Sequence, residues 1–150
     1  MNRVMTRAEK IGRPPWAAPA ASFCRKVLRK LSLDNCELSV VFCNNEFVRD
    51  LNLRFRGKDE PTDILSFSQE EGGGFPGEGA RVIGDMVISV DMLARNCREF
   101  RVAEEEELKR LLIHGILHLS GQDHQGLNPG QPMLVLQEKI LQELSEETLF

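Results

Sequence analysis

All three histidines of the chain, His114, His118 and His124, stand within eleven residues of one another. His114 and His118 are four apart, so on a helix they share one face, one turn apart. Gly121 follows, and glycine is the residue that most readily ends a helix with a left-handed turn. Such a turn would carry His124 back toward the other two. Two imidazoles from a helix and one from the loop after it leave the fourth position of a tetrahedral ion open. That is the plan of a catalytic zinc rather than a structural one. One buried histidine is usually a core residue bonded to a neighbour, and two at this spacing can form a structural pair. A third beyond a glycine, in a chain with none elsewhere, favours a metal. Zinc suits neutral imidazoles best, one ion per chain, although nickel or iron(II) would accept the same ligands.

The spacing H-x-x-x-H-x-x-G-x-x-H is that of the metzincin proteases, in which the residue after the first histidine is the glutamate general base. Here that position is Gly115. The ligand set of a metalloprotease is present without its base, so the expected substrate is one that needs no glutamate. Phosphodiesters qualify, because a metal can polarise the phosphoryl group and RNA carries its own 2′-hydroxyl nucleophile.

Several elements must position this site. Ala17 onward reads as a helix with Phe23, Val27, Leu28 and Leu31 inward and Arg25, Lys26, Arg29 and Lys30 on a solvated face; an RNA-facing surface is the less favoured reading of those four cations. Residues 37–43 read as a strand, and Asn44 as the N-cap of a helix with Phe47, Val48, Leu51 and Phe55 inward. A charged loop, 56–63, leads to a strand at 64–68, and the glycine-rich 69–80 reads as a mobile surface loop. Residues 81–90 are the strongest strand signal. Gly84 inside that run predicts close approach of another backbone, and Asp85 there needs a partner. A short helix spans 91–100. Glu104 to Glu107 read as the acidic first turn of the next helix, where the macrodipole favours them. That helix carries His114 and His118 between two apolar stripes, so it should be central and buried. After a turn-rich 125–132, Leu134, Leu136, Ile140, Leu141 and Leu144 mark a C-terminal helix. Arg3 to Thr6 is a candidate short edge strand, and Arg13-Pro14-Pro15 an extended linker.

The chain has 150 residues, 41% hydrophobic and 28% charged, as for one globular domain spanning residues 1–150. Its net charge of −4 argues against a generic nucleic-acid binder. Residues 1–58 hold twelve Lys/Arg against five Asp/Glu, and residues 59–150 hold seven against eighteen. The asymmetry is compatible with a basic face for an anionic partner, or with two solvated faces of opposite sign. Cys24, Cys36, Cys43 and Cys97 form no C-x-x-C pair and read as small buried hydrophobes in a reducing compartment. The polar, basic N-terminus carries no apolar stretch of a secretion signal, and no apolar run is long enough to span a bilayer. A cytoplasmic protein is expected.

His114-Gly115-x-Leu117-His118-Leu119-x-Gly121-x-Asp123-His124 resembles the signature of the YbeY family of bacterial endoribonucleases. Arg56-Gly57-Lys58-Asp59-x-Pro61-Thr62-Asp63-x-Leu65-Ser66-Phe67 resembles that family's second motif, and Gly84-Asp85-x-Val87-Ile88 its third. The three occur in the family's order, while residues 1–16 match its N-terminal strand poorly. Gln122 stands where the family usually has tyrosine, and 125–132 lacks the usual acidity. The resemblance implies an α+β domain: a small mixed sheet packed with helices, with the histidine-bearing helix central. It implies zinc on His114, His118 and His124, and cleavage of single-stranded RNA at the 3′ end of small-subunit rRNA. It further implies ribosome quality control, with the small ribosomal subunit and assembly factors as partners and neither DNA nor membrane. The arginine matching Arg56 is implied to act beside the metal. A guanidinium there can grip a phosphate and offset transition-state charge. The competing reading of Arg56 is a structural ion pair to Asp59 or Asp63. Two other functions remain open: a zinc-dependent hydrolase of another substrate, and a ribosome assembly factor whose metal is structural.

Overall fold

The computed structural model describes residues 1–69, 81–121 and 132–150. Among these the chain forms β1 (Arg3–Glu9), α1 (Ala17–Lys30), β2 (Cys36–Cys43), α2 (Asn45–Arg56) and β3 (Ile64–Ser68). It continues through β4 (Arg81–Ser89), α3 (Val90–Phe100), α4 (Glu104–Leu119) and α5 (Pro132–Glu143). The expectations for 70–80 and for 122–131, His124 among them, fall outside the described residues.

The strands form one sheet in the order β1-β2-β4-β3. β1, β2 and β4 run parallel, and β3 is antiparallel to β4 at the edge. This is the small mixed sheet of an α+β domain. Side chains alternate between the faces of a strand, so each strand feeds two layers. On one face Leu38, Val40 and Phe42 of β2 and Met86 and Ile88 of β4 meet Phe23, Val27 and Leu28 of α1 and Leu108, Leu112 and Ile116 of α4. On the other, Val41, Cys43, Leu65 and Val87 form a smaller cluster with Val48 of α2. Of the described residues, no helix is long and apolar enough to cross a membrane.

The helix caps follow the sequence. Asn44 Oδ1 accepts from the Phe47 amide at 2.9 Å, and the Ser89 hydroxyl from the Met92 amide at 3.2 Å, each satisfying a first-turn N–H. Gly57 closes α2 in the left-handed conformation at φ 70°.

Two glycines bring α4 onto the sheet. Gly84 has φ 145°, which side-chain-bearing residues rarely adopt, and a Cβ there would lie 2.3 Å from the Phe67 carbonyl oxygen and 2.8 Å from Leu119 Cδ2. The close backbone approach expected at Gly84 is therefore present. It coincides with a register shift in which Glu37 pairs with Val82 and Leu38 with Gly84, leaving Ile83 as the extra residue of a bulge. Asp85 has the partner its position demanded, the Gln69 amide at 2.9 Å. At Gly115, in the middle of α4, a Cβ would lie 2.3 Å from Met86 Sδ and 2.9 Å from Ile64 Cδ1.

Three expectations are corrected. Phe55 does not point inward: it is 64% exposed, its ring edge-on to Phe67 at 5.4 Å, because α2 covers only the small cluster and its last turn overhangs it. Of the residues expected to mark the C-terminal helix, Ile140, Leu141 and Leu144 are buried and Leu136 packs against the core, but Met133 and Gln137 complete the buried face of α5 where Leu134 is only half-buried. The α1 cations are not merely solvated: Lys30 pairs with Glu143 at 2.8 Å and Lys26 with Glu147, tying α1 to the C-terminal segment. All four cysteines are buried thiols, and burial pushes Cys24 and Cys43 up to about 12. They behave as the small hydrophobes expected.

Candidate functional site

α4 is apolar on most of its surface because it is enclosed on most of its surface. Leu108, Leu111, Leu112, Ile113, Gly115, Ile116, Leu117 and Leu119 are buried. His114 and His118 are half-buried on the strip between the two stripes. Their rings lie 4.7 Å apart between centroids at an interplanar angle of 70°. Two imidazoles sharing one tetrahedral ion at about 2.0–2.1 Å per nitrogen hold their centroids about 5 Å apart, so the observed pair fits a shared cation. Among the described residues no third His, Cys, Asp or Glu completes a metal-holding group with them. The third predicted ligand, His124, lies outside that set. Gly121 has φ 95° and its amide bonds the His118 carbonyl at 3.2 Å, so the chain does turn at the predicted glycine.

A cleft of about 500 Å³ opens over the two rings, lined by Arg56, Asp63, Ile64, Ser66, Ser68, His114, His118 and Leu119. Arg56, 58 positions away from His114 in sequence, thus shares one cavity with both described histidines. Ile64, Ser66 and Ser68 are alternate residues of β3, hence on the face turned toward α4. Gly115 packs on Ile64 and Met86 instead of opening into this cleft, so the position of the protease base is spent on bringing α4 to the sheet.

Arg56 occupies the last turn of α2, where a cation complements the negative end of the helix dipole. The loop after it is pinned from beneath. Buried Asn52 donates from Nδ2 to the Glu60 carbonyl at 2.9 Å, and its own backbone carbonyl accepts from the Lys58 amide at 3.3 Å. The competing ion pair does not form among the described residues. Asp59 is taken by Arg49 at 2.7 Å, whose hydrogen bond and charge hold the Asp59 carboxyl below its ordinary range. Asp63 instead meets the Thr62 hydroxyl at 3.5 Å. Arg56 itself is exposed toward the cleft.

One contact was missed in the sequence. Gln137 of α5, 7% exposed, places Oε1 at 2.6 Å from His114 Nδ1. An amide oxygen only accepts, so Nδ1 is the donor in this contact, and in the neutral ring that leaves the lone pair on Nε2. That is the protonation state a metal ligand needs. The sequence carries only a partial signal: Gln137 falls at helical spacing with Met133, Ile140 and Leu141, but Leu134 and Leu136 mark a competing face of the same helix. Asp63 and Ser66 stand within the second family motif without a role assigned to them, Ser68 lies outside it, and only strand pairing shows which face Ser66 and Ser68 occupy.

The family model of Endoribonuclease YbeY matches residues 5–145, which contain α4, β3 and Arg56. A protein of Treponema pallidum (strain Nichols) named Endoribonuclease YbeY is 46% identical over 143 residues, 94% of this chain and 89% of that one. A Sulfurihydrogenibium protein of the same name is 37% identical over 97% of this chain and 95% of its own. The solution structure of TM1509 from Thermotoga maritima superposes with a TM-score of 0.66 at 27% identity, covering 96% of this chain and 89% of that one. With the match running nearly end to end on both sides and embracing every element that lines the cleft, this chain belongs to the endoribonuclease YbeY family.

Proposed function

We propose that this chain is a zinc-dependent endoribonuclease that cleaves single-stranded RNA, acting in the cytoplasm on the 3′ end of small-subunit rRNA and in ribosome quality control. The observation that supports this most directly is the shared cleft of Arg56, His114 and His118. His114 and His118, with His124, hold one zinc. When bound, the ion supplies Lewis-acid polarisation of the phosphoryl group. Arg56 grips the scissile phosphate with its planar fork and offsets the charge that builds on its oxygens. Its place at an exposed helix end, without a carboxylate partner among the described residues, leaves that fork facing the substrate. Ser66 offers a hydroxyl donor from β3, across the cleft from the histidines. With Gly115 packed on Met86 and Ile64, α4 carries no glutamate base at the position where the proteases sharing this histidine spacing have one, which favours RNA over the protease reaction.

The test pairs the zinc content of purified protein with cleavage of an rRNA precursor by wild type, His118→Ala and Arg56→Ala. Stoichiometric zinc and cleavage lost in both variants are expected. Undiminished cleavage by His118→Ala would sink the metal-centred mechanism, and undiminished cleavage by Arg56→Ala would remove Arg56 from it. Metal loss that unfolds the chain, with ligand variants still supporting ribosome assembly, would favour a structural metal.

A further inference from the structure

Gln137 does not hold His114 alone. Its amide nitrogen donates to Glu138 Oε2 at 3.1 Å. The Glu138 carboxylate is in turn forked by Arg110, Nε to Oε2 at 3.1 Å and Nη2 to Oε1 at 3.2 Å. Arg110 also donates to Glu107 at 3.3 Å, within α4. Arg110 and His114 are four apart on α4, so the contacts close a ring: from α4 through Arg110 to α5, along Glu138 and Gln137, and back to α4 at His114. Each link has one sense only. Arginine donates and carboxylate accepts, so Glu138 must receive the Gln137 amide nitrogen. Turning the Gln137 amide over would set its oxygen against the Glu138 carboxylate, acceptor against acceptor. With that orientation fixed, Oε1 faces His114 and demands a hydrogen on Nδ1.

We infer that Gln137 is a positioning residue, which locks His114 as the Nδ1–H tautomer and fixes the plane of its ring so that Nε2 is the ligating nitrogen. The inference rests on the reading of His114 as a metal ligand. Glu138 and Arg110 act behind it, holding the amide the right way round. Gln137 is buried, so water does not readily take over its role when the side chain is replaced.

Chelator competition for zinc and ¹⁵N-edited spectra of the histidine rings in metal-free protein test this, on the full chain. Gln137→Leu is expected to raise the zinc dissociation constant about 10–100-fold and to replace the single Nδ1–H signature of His114 with a mixture. Gln137→Glu combined with Glu138→Gln keeps an acceptor toward His114 and a donor–acceptor pair between 137 and 138, and this Glu variant is expected to restore both. A Leu variant with wild-type zinc affinity and an unchanged His114 tautomer overturns the inference, as does a Glu variant no better than the Leu variant. Where the Leu variant does not fold, the Glu variant decides: His114 held as Nδ1–H supports the lock, and a changed tautomer refutes it. RNA cleavage by zinc-loaded wild type separates this from the functional proposal. If RNA survives while the tautomer still follows Gln137, the function fails and the positioning role stands. If RNA is cut while the tautomer ignores Gln137, the positioning role alone fails.

Discussion

The two walls of the cleft are built on opposite faces of one sheet and by opposite means. His114 and His118 ride on α4, which is packed into the larger core and closed over by α5. Arg56 stands at the tip of α2, whose Val48 covers only Val41, Cys43, Leu65 and Val87, with Phe55 beside Arg56 exposed. The metal site proposed on α4 requires ligand geometry fixed to within tenths of an ångström, and a close-packed interior is suited to that. The phosphate grip proposed for Arg56 requires reach, and an exposed helix end is suited to that. The difference teaches that precision and compliance are separated in this fold by the sheet itself.

Perturbations on the two walls should therefore fail differently. The largest effect is expected for His118→Ala, with cleavage falling more than about 100-fold, beyond what loss of a residue merely supporting a ligand brings, and zinc lost in parallel. Arg56→Ala should lower kcat about 10²-fold or more while zinc content is unchanged and stability in urea stays within about 0.5 kcal/mol. Arg56→Lys, a point charge without the fork, should recover only part of that rate. Zinc loss in Arg56→Ala would collapse the distinction between the walls.

The glycines sharpen it in stability. Gly115→Ala drives a methyl group toward Met86 and Ile64 and should cost about 1–3 kcal/mol in urea unfolding through overpacking. At Gly57 a Cβ has nothing within 4 Å, so Gly57→Ala should cost only the strain of the left-handed backbone, about 1 kcal/mol. A smaller effect is expected from acid. Burial raises the Glu138 carboxyl, but hydrogen bonds from Arg110 and Gln137 and the charge of Arg110 outweigh it and hold the group below the usual carboxylate range. A carboxyl depressed in the folded state contributes stability above its unfolded value and loses it as pH falls through the folded one. Glu138→Gln should flatten that acid limb by under about 1 kcal/mol, given the exposure of the carboxylate. An unchanged acid limb would show that Glu138 adds nothing to the joint between α4 and α5.

Much of this was legible in the chain. The apolar stripes of α4, the Asn44 cap and the strand with an odd Gly84-Asp85 each have a local cause, and local causes are written in local sequence. The family motifs named Arg56. What was not legible depends on which surfaces meet. Phe55 keeps helical spacing with Phe47, Val48 and Leu51, yet the layer beneath is too small to cover it. Gly115 was legible as the absence of a base, but not as the contact that lets Met86 and Ile64 seat the helix. Gln137 was hidden because the face of α5 is chosen by α4, and the apolar residues of α5 permit two rotations.

The buried thiols make the molecule its own reporter. Cys24 lies in the larger layer and Cys43 in the smaller, and burial holds both near 12, so neither reacts with an alkylating agent while its layer is closed. Their labelling rates are then two separate clocks, one for the opening of each layer. Zinc bound to α4 should slow the Cys24 clock more than the Cys43 clock, and RNA reaching across the sheet edge should slow them together.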